Sequence, residues 1–164
     1  MPLIIVEGLD NSGKSTLVQS LAEALRLPMA RTYRMPKSED DIRHWHHWAN
    51  AAPYPLILDR HPSMSDYVYG PIVRNTDSHS SLPLASQCRH GHYLIYCRPH
   101  WDTIERSYNE RKQMEGTHDK LHTLLSAYDR LMDELDPNFI YDWENPKALP
   151  ALITHLTHAL ERMK

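Results

Sequence analysis

The chain has 164 residues, with 18 Lys+Arg against 21 Asp+Glu, 12 histidines, 12 prolines, 5 glycines and 2 cysteines. That length suits one domain, 1–164; a net charge of −3 excludes a basic nucleic-acid coat, and 41% hydrophobic with 24% charged residues excludes a disordered or fibrous chain. The longest apolar runs, Leu3–Val6 and Leu56–Leu58, are too short to span a bilayer, no basic-then-apolar leader opens the chain, and Cys88 and Cys97 cannot build a disulfide framework, so a reducing, cytoplasmic setting without a membrane partner is expected.

Leu3-Ile4-Ile5-Val6 is continuously apolar and reads as a strand buried on both faces. Gly8 to Ser15 is a polar, glycine-bounded turn. A helix starts near Gly13, with Leu17, Leu21 and Leu25 at four-residue spacing, and Pro28 helps to stop it. Arg31–Met35 reads as a second strand and Asp40–Ala52 as a helix. Pro53 and Pro55 bracket a turn into Leu56-Ile57-Leu58, a buried strand ending at Asp59-Arg60. Pro62–Gly70 is a short helix or turn, and Arg74–Ser81 a polar loop. Tyr93–Cys97 is a further strand, and Trp101, Ile104 and Tyr108 share a helix face. After a loop at Lys112–His118, a helix from about His118 to Leu135 carries one stripe: Leu121, Leu124, Leu125, Tyr128, Leu131, Met132 and Leu135. Phe139-Ile140-Tyr141 is the last strand. Leu152, Ile153, Leu156, Leu160 and Met163 mark a closing helix that tolerates Pro150 in its first turn.

Strands alternating with helices predict an α/β fold: a mostly parallel sheet of about five strands flanked by helices. Ligands in such sheets bind at the carboxyl ends of the strands, so the polar sequences after Val6, Leu58 and Cys97 share one rim. The first of these, Gly8-Leu9-Asp10-Asn11-Ser12-Gly13-Lys14-Ser15-Thr16, matches G-x-x-x-x-G-K-[ST] between a strand and a helix. Its glycines let backbone N–H groups turn toward phosphate oxygens, and the helix start adds a positive dipole end. Lys14 then reaches the outer phosphates of ATP or GTP, and Ser15 offers an oxygen to Mg²⁺. Asp59 closes its strand where an acid is placed near the metal.

These residues resemble the thymidylate kinase family. Val6-Glu7 followed by the glycine loop is similar to its signature; Arg34-Met35-Pro36 is similar to its Arg-x-Pro element. Asp59-Arg60-His61 with Ser65 and Tyr69 resembles its Asp-Arg element, and Cys97-Arg98-Pro99 with Arg106 and Arg111 its strand and lid. The resemblance implies a P-loop nucleoside/nucleotide kinase fold using ATP and Mg²⁺. The loop from Gly8 to Thr16, with Arg111, would bind the nucleotide, and Ser15 and Asp59 the magnesium. Lys14, Asp59, Arg60 and Arg106 would carry catalysis; Asp10, Arg34, Arg60, Tyr69 and Arg74 would hold the acceptor.

Three departures matter. Only 24 residues separate Arg34 from Asp59, so the acceptor side (about 36–56) is reduced to one helix and should be open. The lid (about 98–118) is short. His61 stands where an aromatic residue usually follows the Asp-Arg pair. The overall shape resembles the short bacteriophage kinases that phosphorylate 5-hydroxymethyluracil in DNA, a step in thymine hypermodification. A hydroxyl acceptor would need a carboxylate base, which gives Asp59 a second purpose. The expected partner is then DNA containing a modified pyrimidine, in the host cytoplasm if the protein is viral. A free deoxynucleotide, as for a thymidylate-like monophosphate kinase, is the alternative acceptor, and a non-catalytic nucleotide-binding module a third reading; a homodimer stays open. Trp45 and Trp48 are expected in the core. His44, His46 and His47 point apart on a helix, and Cys88, His90 and His92 sit in a polar turn, so neither group is expected to hold a metal. The acidic residues Asp129, Asp133, Glu134 and Asp136 read as a solvated helix end.

Overall fold

A computed structural model describes residues 3–32, 35–74, 77–110 and 118–162. Five strands form one parallel sheet: β1 (Leu3–Glu7), β2 (Met29–Arg31), β3 (Leu56–Asp59), β4 (Tyr93–Cys97) and β5 (Phe139–Tyr141), in the order β2-β3-β1-β4-β5. Seven helices accompany them among the described residues: α1 (Lys14–Leu25), α2 (Glu39–Asn50), α3 (Pro62–Tyr69), α4 (Leu82–Arg89), α5 (Trp101–Glu110), α6 (Leu121–Leu135) and α7 (Ala148–Glu161). A wide π-type turn, Gly70–Arg74, extends α3, and a 3₁₀ turn, His118–Lys120, leads into α6.

The central strand explains the layering. Every residue of β1 is buried, and its side chains alternate between two cores. Leu3 and Ile5 join Leu58, Leu94 and the stripe of α6 on one face; Ile4 and Val6 join Leu17, Leu21, Ile57, Leu152 and Leu156 on the other. The predicted stripe from Leu121 to Leu135 is buried in full. Each such leucine contributes roughly 2 kcal/mol of apolar transfer free energy.

Four expectations are corrected. The second strand lies at Met29–Arg31, not Arg31–Met35, because the edge pairing runs from Met29 opposite Ile57 to Arg31 opposite Asp59. Cys88 lies on a helix and not in the polar turn, which begins only at His90: Ser81 caps α4 by accepting the Leu84 N–H, and Leu84, Ala85 and Cys88 are buried on one helix face. Asp129 is not simply solvated, for it accepts hydrogen bonds from the Tyr96 hydroxyl at 2.7 Å and from Arg98 Nε at 2.8 Å. Trp45 packs against the core as expected, whereas Trp48 is exposed. No helix among the described residues is long and apolar enough to cross a membrane.

Candidate active site

The loop between β1 and α1 has the backbone that the glycine pattern requires. Gly8 has φ +148°, and a Cβ there would fall 2.6 Å from the Cys97 carbonyl oxygen. Gly13 has φ +87°, and a Cβ would fall 2.7 Å from Trp143 Cδ1. Neither position accepts a side chain without moving its neighbours. Leu9 is buried in the core, so it offers the loop only its backbone. Asn11 also has positive φ, and its side-chain amide donates to the Ser107 carbonyl on α5 at 3.4 Å. The Ser12 hydroxyl is buried beneath the loop without a hydrogen-bond partner among the described residues. Thr16 is exposed on the first turn of α1.

Lys14 is buried inside this loop, 3.6 Å from the Asp10 carboxylate. Burial and the nearby Arg60 charge pull its pKa down, and Asp10 and Asp59 pull the other way. The Ser15 hydroxyl donates to Asp59 Oδ2 at 2.8 Å, and Arg31 Nε lies 3.5 Å from the same oxygen. Asp59 Oδ1 is buried and unpaired among the described residues. Two hard oxygen donors side by side, one carboxylate oxygen still lacking a partner, fit a Mg²⁺ ion.

The turn after β3 carries Arg60, one of the residues expected to hold the acceptor. Its start is tied to β1, with the Arg60 N–H donating to the Val6 carbonyl at 3.0 Å. Arg60 has φ +75°, an unfavourable conformation for a non-glycine residue, of about 1–3 kcal/mol. That turn aims the guanidinium back over the sheet. Nη1 donates to the Tyr128 hydroxyl at 2.6 Å, Nη2 donates to Asp10 Oδ1 at 2.8 Å, and Glu7 Oε2 lies 3.9 Å away. Burial opposes the Arg60 charge, but Tyr128, Tyr69, Asp10 and Glu7 outweigh it and hold the pKa well above normal. The Tyr69 hydroxyl donates to Asp10 Oδ2 at 3.1 Å, and burial pushes its pKa up to about 12. Burial alone would raise Asp10, yet Arg60 and Lys14 hold its carboxyl below the usual range.

Asp10, Arg60, Tyr69 and Arg74 line one cleft of about 220 Å³, with Arg31 and Met35 at its exposed side. Arg74 is ion-paired with Asp66, a buried carboxylate that also accepts the His79 N–H at 2.7 Å and the Ser80 N–H at 3.1 Å. Asp59 is not among the cleft-lining residues; it faces Ser15 instead. Arg106 is exposed on α5, 3.6 Å from Glu144. Arg34, Arg111 and Lys112, with most of the expected lid, lie outside the described residues.

Three site residues were not singled out for a role in the sequence. Glu7 is fully buried and raised in pKa by that burial; it accepts the His61 N–H at 2.6 Å and the Tyr128 hydroxyl at 3.2 Å. Tyr128 belongs to the predicted α6 stripe, in a helix that resembles the one after the family's lid, with no site role predicted for its hydroxyl. Trp143, after β5, lies against Gly13 at the outer edge of the loop. For Glu7 the signal was present: a carboxylate closing an apolar strand needs buried partners. For Trp143 no spacing rule points back to residue 13.

No family model and no curated protein matches the chain. Solved structures do match its fold. It is similar to the YorR protein of Bacillus subtilis, solved in complex with phosphorylated GDP (TM-score 0.72, 18% identity, covering 97% of this chain and 95% of that one). It is similar to deoxyadenosine kinase from M. mycoides with bound dATP (TM-score 0.64, 15% identity, 97% and 99% covered). It is also similar to shikimate kinase from Acinetobacter baumannii in complex with shikimate (TM-score 0.61, 15% identity, 100% and 95% covered). The parallel sheet, its strand order and these full-length likenesses establish the P-loop kinase fold for this chain.

Proposed function

We propose that the protein is an ATP-dependent phosphotransferase that moves a γ-phosphoryl group onto the hydroxymethyl oxygen of 5-hydroxymethyluracil presented by DNA. The observation that carries this is the cleft beside the glycine loop, whose charged groups among the described residues are already paired within the protein. Arg60 is committed to Asp10 and Tyr128, and Arg74 to Asp66. Such a cleft suits a neutral, hydrogen-bonding acceptor better than a phosphate dianion, which calls for unpaired guanidinium forks. Its size agrees: about 220 Å³ lies below the roughly 300–1,000 Å³ of sites that enclose a whole small ligand. It holds a base and leaves sugar and backbone outside, as enzymes acting on an extruded base require. A DNA backbone would run past the exposed Arg31 and Met35.

Lys14 and the loop N–H groups bind and orient the triphosphate, and Lys14 neutralises charge on the transferring group. Ser15 and Asp59 would hold Mg²⁺, which would supply further charge neutralisation when bound. Asp10 faces the acceptor, with Arg60 and Tyr69 fixing its carboxylate, and is the carboxylate that would take the hydroxyl proton; Asp59, which faces Ser15 and not the cleft, would serve the metal. Arg106 and Trp143 flank the outer end of the loop on the donor side. The alternative acceptor is a free deoxynucleotide, which the M. mycoides enzyme likeness keeps in view.

Labelled ATP incubated with hydroxymethyluracil-containing DNA, beside dTMP and other free monophosphates, tests the assignment. Label on the DNA base is expected. Label on free nucleotides alone would move the activity to the alternative, and no transfer to any acceptor would leave only nucleotide binding.

A further inference from the structure

The two histidine- and cysteine-bearing segments that looked unsuited to metal separately meet in three dimensions. His46 on α2, His61 at the start of α3 and Cys88 on α4 place one donor atom each within 4.8 Å of the others. His46 Nδ1 and His61 Nε2 are 3.0 Å apart. His61 and Cys88 are buried and His46 is half-buried. We propose that these three side chains form a zinc site that clamps α2 to the turn carrying Arg60.

Chemistry selects the ion. Two imidazoles and a thiolate suit a borderline-soft cation; Mg²⁺ and Ca²⁺ require oxygen donors, which this cluster lacks. A tetrahedral zinc with bonds of about 2.0–2.3 Å places its donors roughly 3.3–3.7 Å apart, so the present spacing needs shifts on the order of an ångström. The outer ring nitrogen of His61 has two contacts with Ser63: Nδ1 lies 2.7 Å from the hydroxyl oxygen and accepts the backbone N–H at 3.2 Å. Such a contact fixes ring orientation and tautomer in metal sites. His92 stands beyond His46, ring centroids 5.4 Å apart, with its own Nδ1 accepting the Leu3 N–H at 3.1 Å. The fourth position falls to water.

Proton balance is simple. Cys88 releases its thiol proton to solvent on binding. Ligation through His61 Nε2 moves the ring proton to Nδ1, which then donates to the Ser63 hydroxyl oxygen while the Ser63 N–H releases its contact with that nitrogen. No redox change occurs. The half-buried edge at His46 provides the path of entry.

The site has structural work to do. Helix α2 is strongly polar and buries only Ile42 and Ala49. Apolar packing therefore holds it weakly against α3 and α4. His61 directly follows Arg60, and its N–H donates to the buried Glu7 carboxylate. A metal here would brace the acceptor cleft from behind, away from Ser15 and Asp59.

The test uses the full chain stripped of metal and titrated with Zn²⁺ or Co²⁺ alone, without nucleotide, so it is independent of the phosphotransfer assignment. Expected are one ion per chain, the visible bands of tetrahedral Co²⁺ and a near-ultraviolet thiolate-to-cobalt band. Cys88→Ser should remove the thiolate band, and His46→Ala should weaken Zn²⁺ binding by more than about tenfold. His47→Ala, an exposed neighbour on the same helix, should leave binding unchanged. His46 is half-exposed, so its variant keeps the fold and carries the test even if Cys88→Ser is unstable. Absence of a tetrahedral cobalt spectrum, or one unchanged by both ligand substitutions, would overturn the proposal.

Discussion

Tyr128→Phe isolates the buried network behind the cleft. The Tyr128 ring is fully buried, and its hydroxyl joins two charged groups: it accepts from Arg60 Nη1 at 2.6 Å and donates to Glu7 Oε2 at 3.2 Å. Phenylalanine keeps the ring and leaves no large cavity, so the loss is confined to hydrogen bonding. Each charge-assisted bond contributes about 1.5–3 kcal/mol, and the stranded groups are buried where water does not replace the hydroxyl. Arg60 retains Asp10 and Tyr69, and Glu7 retains the His61 N–H, which caps the damage. The net expectation is a loss of about 3 kcal/mol, or a fall in Tm of about 6–12 °C for a chain of this size. Thermal unfolding followed by circular dichroism measures it. The substitution should also raise the apparent KM for the acceptor while nucleotide binding is unchanged, because Arg60 loses the tether on its far side. A change in Tm below about 2 °C would refute the reasoning, since it would mean that the hydroxyl does not hold Arg60 and Glu7.

Other outcomes follow from the same geometry. Lys14→Ala should cut turnover by at least about 10²-fold in a folded protein, read by single-turnover transfer; near-normal turnover would contradict its place in the loop. Arg60→Ala should weaken acceptor use more than nucleotide binding, and an equal loss of both in titration and kinetics would count against its assignment. Asp10 has a folded pKa below its ordinary value of 3.8, so its stabilising effect is complete above 3.8 and is lost as pH falls through the folded value. Asp10→Asn should accordingly flatten the decline of Tm with acid below about pH 4; an unchanged slope would show that the carboxylate is not held by Arg60 and Lys14. Asp59→Asn should raise the Mg²⁺ concentration needed for half-maximal transfer, and an unaltered Mg²⁺ requirement would remove Asp59 from the metal site.

The phosphate-binding loop was legible because its physics is local. Gly8 and Gly13 adopt conformations that residue type alone predicts, and the donors they turn inward lie within nine consecutive residues. The buried β1 and the stripe of α6 were legible for a related reason: a strand repeats every two residues and a helix about every 3.6, so one face can be read without its partner. Helix α4 escaped because its apolar face is only Leu84, Ala85 and Cys88, hidden among polar residues, although Ser81 and Pro83 marked its start.

Convergence was not legible. The amino-acid order establishes a nucleotide loop, alternating strands and helices, and a carboxylate with an arginine at the end of β3. Whether Asp10 or Asp59 faces the cleft, whether Arg74 meets Asp66, and whether His46, His61 and Cys88 meet at all depend on how distant elements cross. Local spacing dictates the direction a side chain leaves its own helix or strand. Only packing of those elements against a shared core dictates what it meets there.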